Sequence, residues 1–408
     1  MTHTPVIARS EATKQSSGLR RPAPSPAGLL RSARNDGGGA LALYIHWPFC
    51  VSKCPYCDFN SHVRERVDQA AWRDALLADL AYEARRTEGL KLGSIFFGGG
   101  TPSLMEPATV AALLAAAERH WGFAGEPEIT LEANPSSVEA ARFVDLAAAG
   151  VNRVSLGLQS LDDAALRFLR RAHGVAEGLA ALETAQRHFG RVSFDLIYAL
   201  PGQSEAAWAD ELARALAFGT GHLSLYQLTI EPGTRFATMA AKGELQAADP
   251  DHGATLYELT GAMTEQAGLP AYEISNHARP GEESRHNLTY WRYGSYAGVG
   301  PGAHGRRGGA STRRHKKPEN WLSALARNGH GIEEETPIAA EDAATEALLM
   351  GLRLREGVDR AKVESAVDWG AVRKLEAQGL LASDSERLCA TPKGMLVLDG
   401  ILREIAAD

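Results

Sequence analysis

Cys50, Cys54 and Cys57 are three of only four cysteines in the chain, and they are set at a C-x3-C-x2-C spacing. Three thiolates so spaced can hold three irons of a four-iron cluster and leave the fourth iron open. A structural zinc site instead fills every coordination position, and an electron-transfer cluster is normally tied down by four cysteines. The competing reading is a three-cysteine zinc knuckle completed by His46 or His62, although zinc motifs more often carry paired short spacings. An open iron is where a bound molecule can be activated, so this loop implies chemistry.

Further polar and glycine-rich groups recur downstream. Gly98, Gly99 and Gly100, followed by Thr101 and Pro102, come directly after an apolar run. Glycines there let the backbone approach a ligand closely. The run matches neither nucleotide-binding glycine fingerprint, and by itself it equally describes a tight turn. Glu132, Gln159, Arg171 and Asp195 sit at or just beyond other apolar runs. Asp195 stands out, because an unpaired carboxylate inside an apolar strand would be costly.

The elements that must carry these residues are legible. Strand-like runs at 42–46, 94–97, 128–132, 153–158, 192–198 and 222–229 are rich in Ile, Val, Leu, Phe and Tyr. Between them, 68–86, 107–121, 138–149, 176–189 and 205–218 show helical spacing. Six strand–helix units in succession predict parallel strands with right-handed crossovers, here an incomplete β/α barrel. Catalytic and binding residues of such folds gather at the C-terminal ends of strands, where the cysteines, the glycines and the polar set all fall. Beyond about residue 235 a helix is expected at 251–267, then a glycine- and aromatic-rich segment over 272–309. Helices at 339–354, 361–367 and 369–378 and strands at 380–382 and 388–390 suggest a winged-helix-like module. No basic recognition helix is visible in it, so nucleic acid is not an expected partner.

Residues 44–50 (YIHWPFC), the GGGTP loop, residues 156–160 (LGLQS) and residues 195–202 (DLIYALPG) together resemble the coproporphyrinogen-oxidase-like branch of the radical S-adenosylmethionine (SAM) superfamily. The likeness covers the chain from about residue 41 onward. It implies an α/β fold: an incomplete (βα)6 radical SAM barrel with a C-terminal α+β extension and winged-helix-like module. It also implies a [4Fe–4S] cluster on Cys50, Cys54 and Cys57 with SAM at the open iron. Tyr44, Gly99, Gly100, Thr101, Glu132, Gln159, Arg171 and Asp195 are the implied SAM contacts.

Within that branch two features discriminate. Oxidases typically carry a further cysteine two positions after the third, where this chain has Phe59. The run from His286 to Trp291 reads H-N-x-x-Y-W, which resembles the haem-binding motif of the haem-chaperone group, HemW. The resemblance therefore implies haem held near His286 as an iron ligand, with Tyr290 and Trp291 packing on the porphyrin; a His-Asn turn with two core aromatics is the plainer alternative. Implied partners are haem, a haem-acceptor protein and an electron donor such as a flavodoxin or ferredoxin. Peripheral membrane contact through a membrane-bound acceptor and a homodimer both remain open. No residue is assigned a catalytic role, and the rival function is an oxygen-independent coproporphyrinogen III oxidase. His304 is a further candidate ligand. The basic run from Arg306 to Lys317 reads as a solvated loop, with haem propionates or an acidic acceptor as its alternative uses.

Composition agrees with an ordinary globular protein: 44% apolar, 23% charged and a net charge of −7. Bunched cysteines without a disulfide framework fit a reducing compartment, and no apolar run is long enough to span a membrane, so a cytoplasmic location is expected. The expected organisation is a disordered tail over 1–39, a barrel over 40–235, the extension with the haem motif over 236–335 and the winged-helix-like domain over 336–408. The tail holds Pro22, Pro24 and Pro26 and six basic residues against Glu11 and Asp36. That composition is reminiscent of a transit peptide, but an accidental extension explains it equally well.

Overall fold

The computed structural model describes residues 40–407; the expectation of a disordered tail over 1–39 lies outside them. Six strands follow in order: β1 (Leu41–Trp47), β2 (Leu92–Gly99), β3 (Phe123–Ala133), β4 (Arg153–Gln159), β5 (Arg191–Tyr198) and β6 (His222–Gln227). Each pairs in parallel with the next, as the alternation of strand and helix predicts. Helices including Gln69–Arg86, Pro107–Trp121, Val175–His188 and Glu205–Ala217 connect them.

A period of two along these strands decides which residues meet the helices and which face the hollow. Leu43 and Ile45 of β1, Phe97 of β2, Leu131 of β3, Leu156 of β4 and Phe194 of β5 belong to the main core and are wholly buried. Each such side chain contributes roughly 1.5–3 kcal/mol by leaving water. The intervening residues, Tyr44, His46, Glu132, Ser155, Gly157, Gln159 and Asp195, therefore share the opposite, concave face. Apolar and polar residues alternate because one face is core and the other is site.

The remaining strands extend this sheet to eleven. Asn276–Ala278 adds antiparallel to β6. On the other side Tyr296–Val299 pairs in parallel with β1. An antiparallel meander follows it: His304–Arg307, Ala310–Arg314 and Ile332–Pro337. The glycine- and aromatic-rich segment thus supplies a seventh parallel strand, and β1 is internal to the sheet. The predicted helix over 138–149 is instead two short helices, Ser137–Ala140 and Phe143–Ala148. The break follows Glu139, whose carboxylate is drawn back to Ser103 and to the Asn134 amide.

The C-terminal region has its own core, including Leu348, Leu352, Val372, Leu388 and Leu402. It combines the helices Ala340–Gly351 and Trp369–Ala377 with a three-stranded sheet of Val358–Asp359, Arg387–Ala390 and Leu381–Ser383. The antiparallel pair Leu381–Ser383 and Arg387–Ala390 lies where strands are expected at 380–382 and 388–390. Among the described residues no helix is long and apolar enough to cross a membrane.

The basic run is the clearest departure from expectation. Arg307 and Arg314 are 3% and 0% exposed. They lie on the meander face that packs against the helix Gln69–Arg86, and there they meet Asp79 and Glu83. Arg314 donates from Nε to Asp79 at 2.6 Å and from Nη2 to Glu83 at 2.9 Å, and Arg307 Nε reaches Glu83 at 2.6 Å. This part of the run is a buried ionic junction between barrel and extension, not a solvated loop. Lys316 and Lys317 remain exposed.

Candidate cofactor site and adjoining cavity

The three cysteines follow β1 and line a cavity of about 400 Å³ together with Gly99, Gly100, Thr101, Glu132, Gln159, Arg171 and Asp195. The glycine loop lies on the cysteine loop: Gly100 N donates to Trp47 O at 2.7 Å and Thr101 N to Phe49 O at 2.8 Å. Gly99 has φ 116°, and a Cβ there would lie 2.6 Å from the His46 ring, so only glycine fits. The Thr101 hydroxyl reaches Cys50 Sγ at 3.5 Å. Burial pushes the Cys50 thiol above its ordinary range.

Arg171 organises the far wall. Its Nη1 lies 3.3 Å from Cys54 Sγ, and its Nη2 donates to Asn134 Oδ1 at 2.6 Å and to Gly157 O at 2.9 Å. Its Nε is buried without a hydrogen-bond partner. Gly157 leaves the space: a Cβ there would stand 2.8 Å from Gln159 Nε2. Gln159 itself is left-handed at φ 71°, a strained backbone of the kind that persists at ligand sites.

Two carboxylates complete this cavity. Glu132 accepts from Gly99 N at 3.1 Å; burial, then the nearby Asp195 charge, push its pKa up to about 8. Burial also raises Asp195 to about 6, against the hydrogen bonds it accepts from Ser224 and Ser155. Two half-buried acids whose pKa values burial has raised fit a ligand that brings positive charge.

These groups fit the implied cofactors. The thiols stand around the cavity wall, and no set of three His, Cys, Asp or Glu among the described residues is gathered tightly enough for a single metal ion. His46 is unsuited to complete a knuckle, since its Nδ1 meets the Tyr44 hydroxyl at 2.9 Å and its Nε2 meets Asn60 O at 2.9 Å. The unpartnered Arg171 Nε suits a carboxylate, and the acids suit an ammonium and a diol.

A second cavity of about 290 Å³ adjoins the first, and Phe59, Gly99 and Glu132 line both. Its aromatic wall comprises Tyr44, Phe96, Tyr290, Trp291 and Tyr296, joined by His46, His286, His304 and Lys316. Tyr44, expected at the cofactor cavity, thus lines this neighbour instead, because its position in β1 aims it toward the extension. His286, Tyr290 and Trp291 do come together here, on the helix Arg285–Trp291. Glu128 fixes that helix, accepting from Arg285 N and His286 N at 3.2 Å each.

His286 is 1% exposed. Its Nδ1 meets Ser94 Oγ at 3.0 Å and its Nε2 meets Tyr290 Oη at 2.6 Å. Burial pushes its pKa down to about 3, so the ring is neutral. Both nitrogens are engaged, so ligation through this ring requires Ser94 or Tyr290 to turn away. Sequence reasoning missed Asn134, which links Arg171 to the Thr101 hydroxyl, and Asn60, which ties the cysteine loop to the extension. Asn134 could have been found from its strand-end position beside Glu132; Asn60 had no such signal.

Comparison with known proteins places this arrangement. The profile of the radical SAM superfamily matches residues 44–215, and that of the HemN C-terminal domain matches residues 338–397. The chain is 36% identical to the heme chaperone HemW of Escherichia coli, covering 90% of this chain and 98% of that protein. It is 37% identical to the heme chaperone HemW of Mycobacterium tuberculosis, over 90% and 95% of the two chains. It is 40% identical to the mitochondrial radical S-adenosyl methionine domain-containing protein 1 of Bos taurus, over 94% and 90%. Among solved structures, E. coli coproporphyrinogen III oxidase HemN superposes with a TM-score of 0.75 at 22% identity, covering 89% of each chain. That likeness establishes the fold. By sequence and architecture the chain belongs to the radical SAM superfamily, in the family that includes HemW.

Proposed function

We propose that the protein is a haem chaperone, which binds haem beside a SAM-ligated [4Fe–4S] cluster and passes it to an acceptor protein. The observation that carries this reading is the second cavity. It is walled by aromatic rings suited to a flat macrocycle, contains three imidazoles, and shares Phe59 and Glu132 with the cysteine cavity. The identity to HemW proteins over most of both chains supports it.

In this reading Cys50, Cys54 and Cys57 hold the cluster. Arg171 receives the SAM carboxylate, Glu132 and the Gly99–Thr101 backbone orient its amino group, and Asp195 and Gln159 meet the ribose. The cluster supplies an open iron that SAM can occupy, and an external donor such as a flavodoxin or ferredoxin would reduce it. Phe59, 40% exposed at the boundary, occupies the position where an oxidase would carry another cysteine. The barrel occupies 40–235, the haem-binding extension 236–335 and the winged-helix-like unit 336–408, which would dock the acceptor or a second copy. A cytoplasmic site of action fits, with membrane contact only where the acceptor is membrane-bound.

The test is addition of haemin to purified, anaerobically reconstituted protein. Stoichiometric haem uptake without conversion of coproporphyrinogen III to protoporphyrinogen IX is expected. Conversion of that porphyrinogen, with no haem uptake, would establish the oxidase reading instead.

A further inference from the structure

Three imidazoles line the second cavity, and they differ in what their nitrogens already do. His46 is engaged by Tyr44 and Asn60, and His286 by Ser94 and Tyr290. The His304 ring makes no hydrogen bond among the described residues, although it lines the same cavity. An imidazole binds iron through the lone pair of an unprotonated ring nitrogen, so a ring free of internal partners is the readiest ligand. We propose that His304 ligates the iron of bound haem, while Lys316 receives a propionate at the mouth of the cavity.

The backbone around His304 is built to hold it still. Gly300 N donates to Asp79 Oδ2 at 3.0 Å inside the buried junction. Asn60 donates from Nδ2 to Pro301 O at 2.9 Å and to Lys316 O at 3.0 Å. His304 then opens the strand His304–Arg307 and pairs in register with Arg313. A ligand set on a rigid strand beside a pinned loop keeps its geometry better than one on a free loop. Burial, then the nearby Lys316 and Arg313 charges, lower the His304 pKa to about 4, which leaves the ring neutral at physiological pH. Lys316 is exposed and makes no side-chain ion pair among the described residues, so its charge is available to a carboxylate.

This assignment leaves His286 a positioning role, in which it and Tyr290 hold each other as part of the aromatic wall. It also connects the two cavities physically. Asn60 lies three positions after Cys57, so ordering of the cysteine loop bears directly on the backbone that presents His304 and Lys316.

The assignment rests on the haem-chaperone reading, and the experiment separates failure of the two. Ferric haemin is titrated into the full, anaerobically reconstituted chain, with the Soret band and electron paramagnetic resonance recorded for wild type, His304→Ala and His286→Ala. His304→Ala is expected to lose the imidazole-ligated signature and to bind haem at least about tenfold more weakly. Free imidazole is expected to restore the signature, which a merely structural loss would not allow. His286→Ala is expected to keep the signature. A His304→Ala spectrum and affinity equal to wild type would overturn the assignment while leaving the cargo reading intact. Loss of the signature only in His286→Ala would do the same. No haem uptake by the wild type would remove the cargo reading itself, and this assignment with it. Should His304→Ala fail to fold by circular dichroism, His304→Gln, of similar size and without the imidazole, takes its place with the same expectations.

Discussion

Replacing Asp79 by alanine removes the acceptor on which the barrel–extension junction converges. Asp79 is 0% exposed. It accepts from Arg314 Nε at 2.6 Å and Nη2 at 3.2 Å, from Gly300 N at 3.0 Å, from Trp321 Nε1 at 3.3 Å and from Gly331 N at 3.2 Å. In Asp79→Ala the fully buried Arg314 keeps only Glu83, and three further N–H groups lose their partner. Breaking a buried ion pair from one side costs about 3–5 kcal/mol, and each orphaned buried donor adds to the upper end of that range. Glu335→Ala is the matched control: Glu335 also meets an arginine of this junction, but its side chain is 28% exposed, so the expected loss is below about 1 kcal/mol. Urea unfolding followed by tryptophan fluorescence reads both, because Trp72 stacks on Trp321 at 5.3 Å within the junction. The midpoint should fall with little change in slope. An Asp79→Ala loss no larger than that of Glu335→Ala would refute the claim that buried charge, and not general packing, joins these two parts of the chain.

Other consequences follow from the same geometry. Gly99→Ala must place a Cβ 2.6 Å from the His46 ring at φ 116°, so equilibrium dialysis should show SAM binding weakened at least about tenfold while iron content is retained; wild-type SAM affinity would contradict this. SAM binding at pH 7 should release protons, because Glu132, raised to about 8, must ionise to meet a cation; calorimetry in buffers of different ionisation enthalpy measures the release, and no buffer dependence would refute it. The same raised value gives a sign for the cofactor-free chain: Glu132's contribution to stability is full below its ordinary pKa of 4.5 and is lost as pH rises through about 8. Glu128 has the opposite sign. Although burial opposes its charge, Arg153 and Arg191 hold its pKa below 4.5, so its contribution is present above pH 4.5 and lost as pH falls through the depressed value. Glu128→Ala should therefore cost about 3–5 kcal/mol at pH 7 and loosen the helix bearing His286, read as faster amide exchange over 285–291; unchanged exchange would sink that link.

The barrel was legible because each strand alternates core and site residues with period two, and because Leu43, Phe97, Leu131 and Leu156 name the core face without ambiguity. The cysteine cavity was legible for the same reason: its lining residues stand at or just beyond strand ends, where the local pattern changes. The extension was harder to read. Tyr296–Val299 is four residues long and looks like part of a glycine-rich loop; only pairing with β1, some 250 positions earlier, makes it a strand. Arg307 and Arg314 read as solvated because their buried partners Asp79 and Glu83 lie more than 220 positions away. Likewise the H-N-x-x-Y-W pattern located the aromatic cavity but could not reveal that Ser94 and Tyr290 already occupy the His286 nitrogens. Side-chain availability is a tertiary property, and it is the ground on which His304 is proposed as the iron ligand.

The central claim is that haem is cargo beside the SAM centre. Anaerobically reconstituted, haem-loaded protein should be mixed with an apo-haemoprotein acceptor and the Soret band followed as the two are separated by size. The account predicts that haem moves to the acceptor, and that a Cys50→Ala, Cys54→Ala, Cys57→Ala triple variant transfers it more slowly, because the loop that would carry the cluster is joined through Asn60 to the backbone beside the second cavity. Haem that never leaves the chain, together with conversion of supplied coproporphyrinogen III to protoporphyrinogen IX, would contradict it.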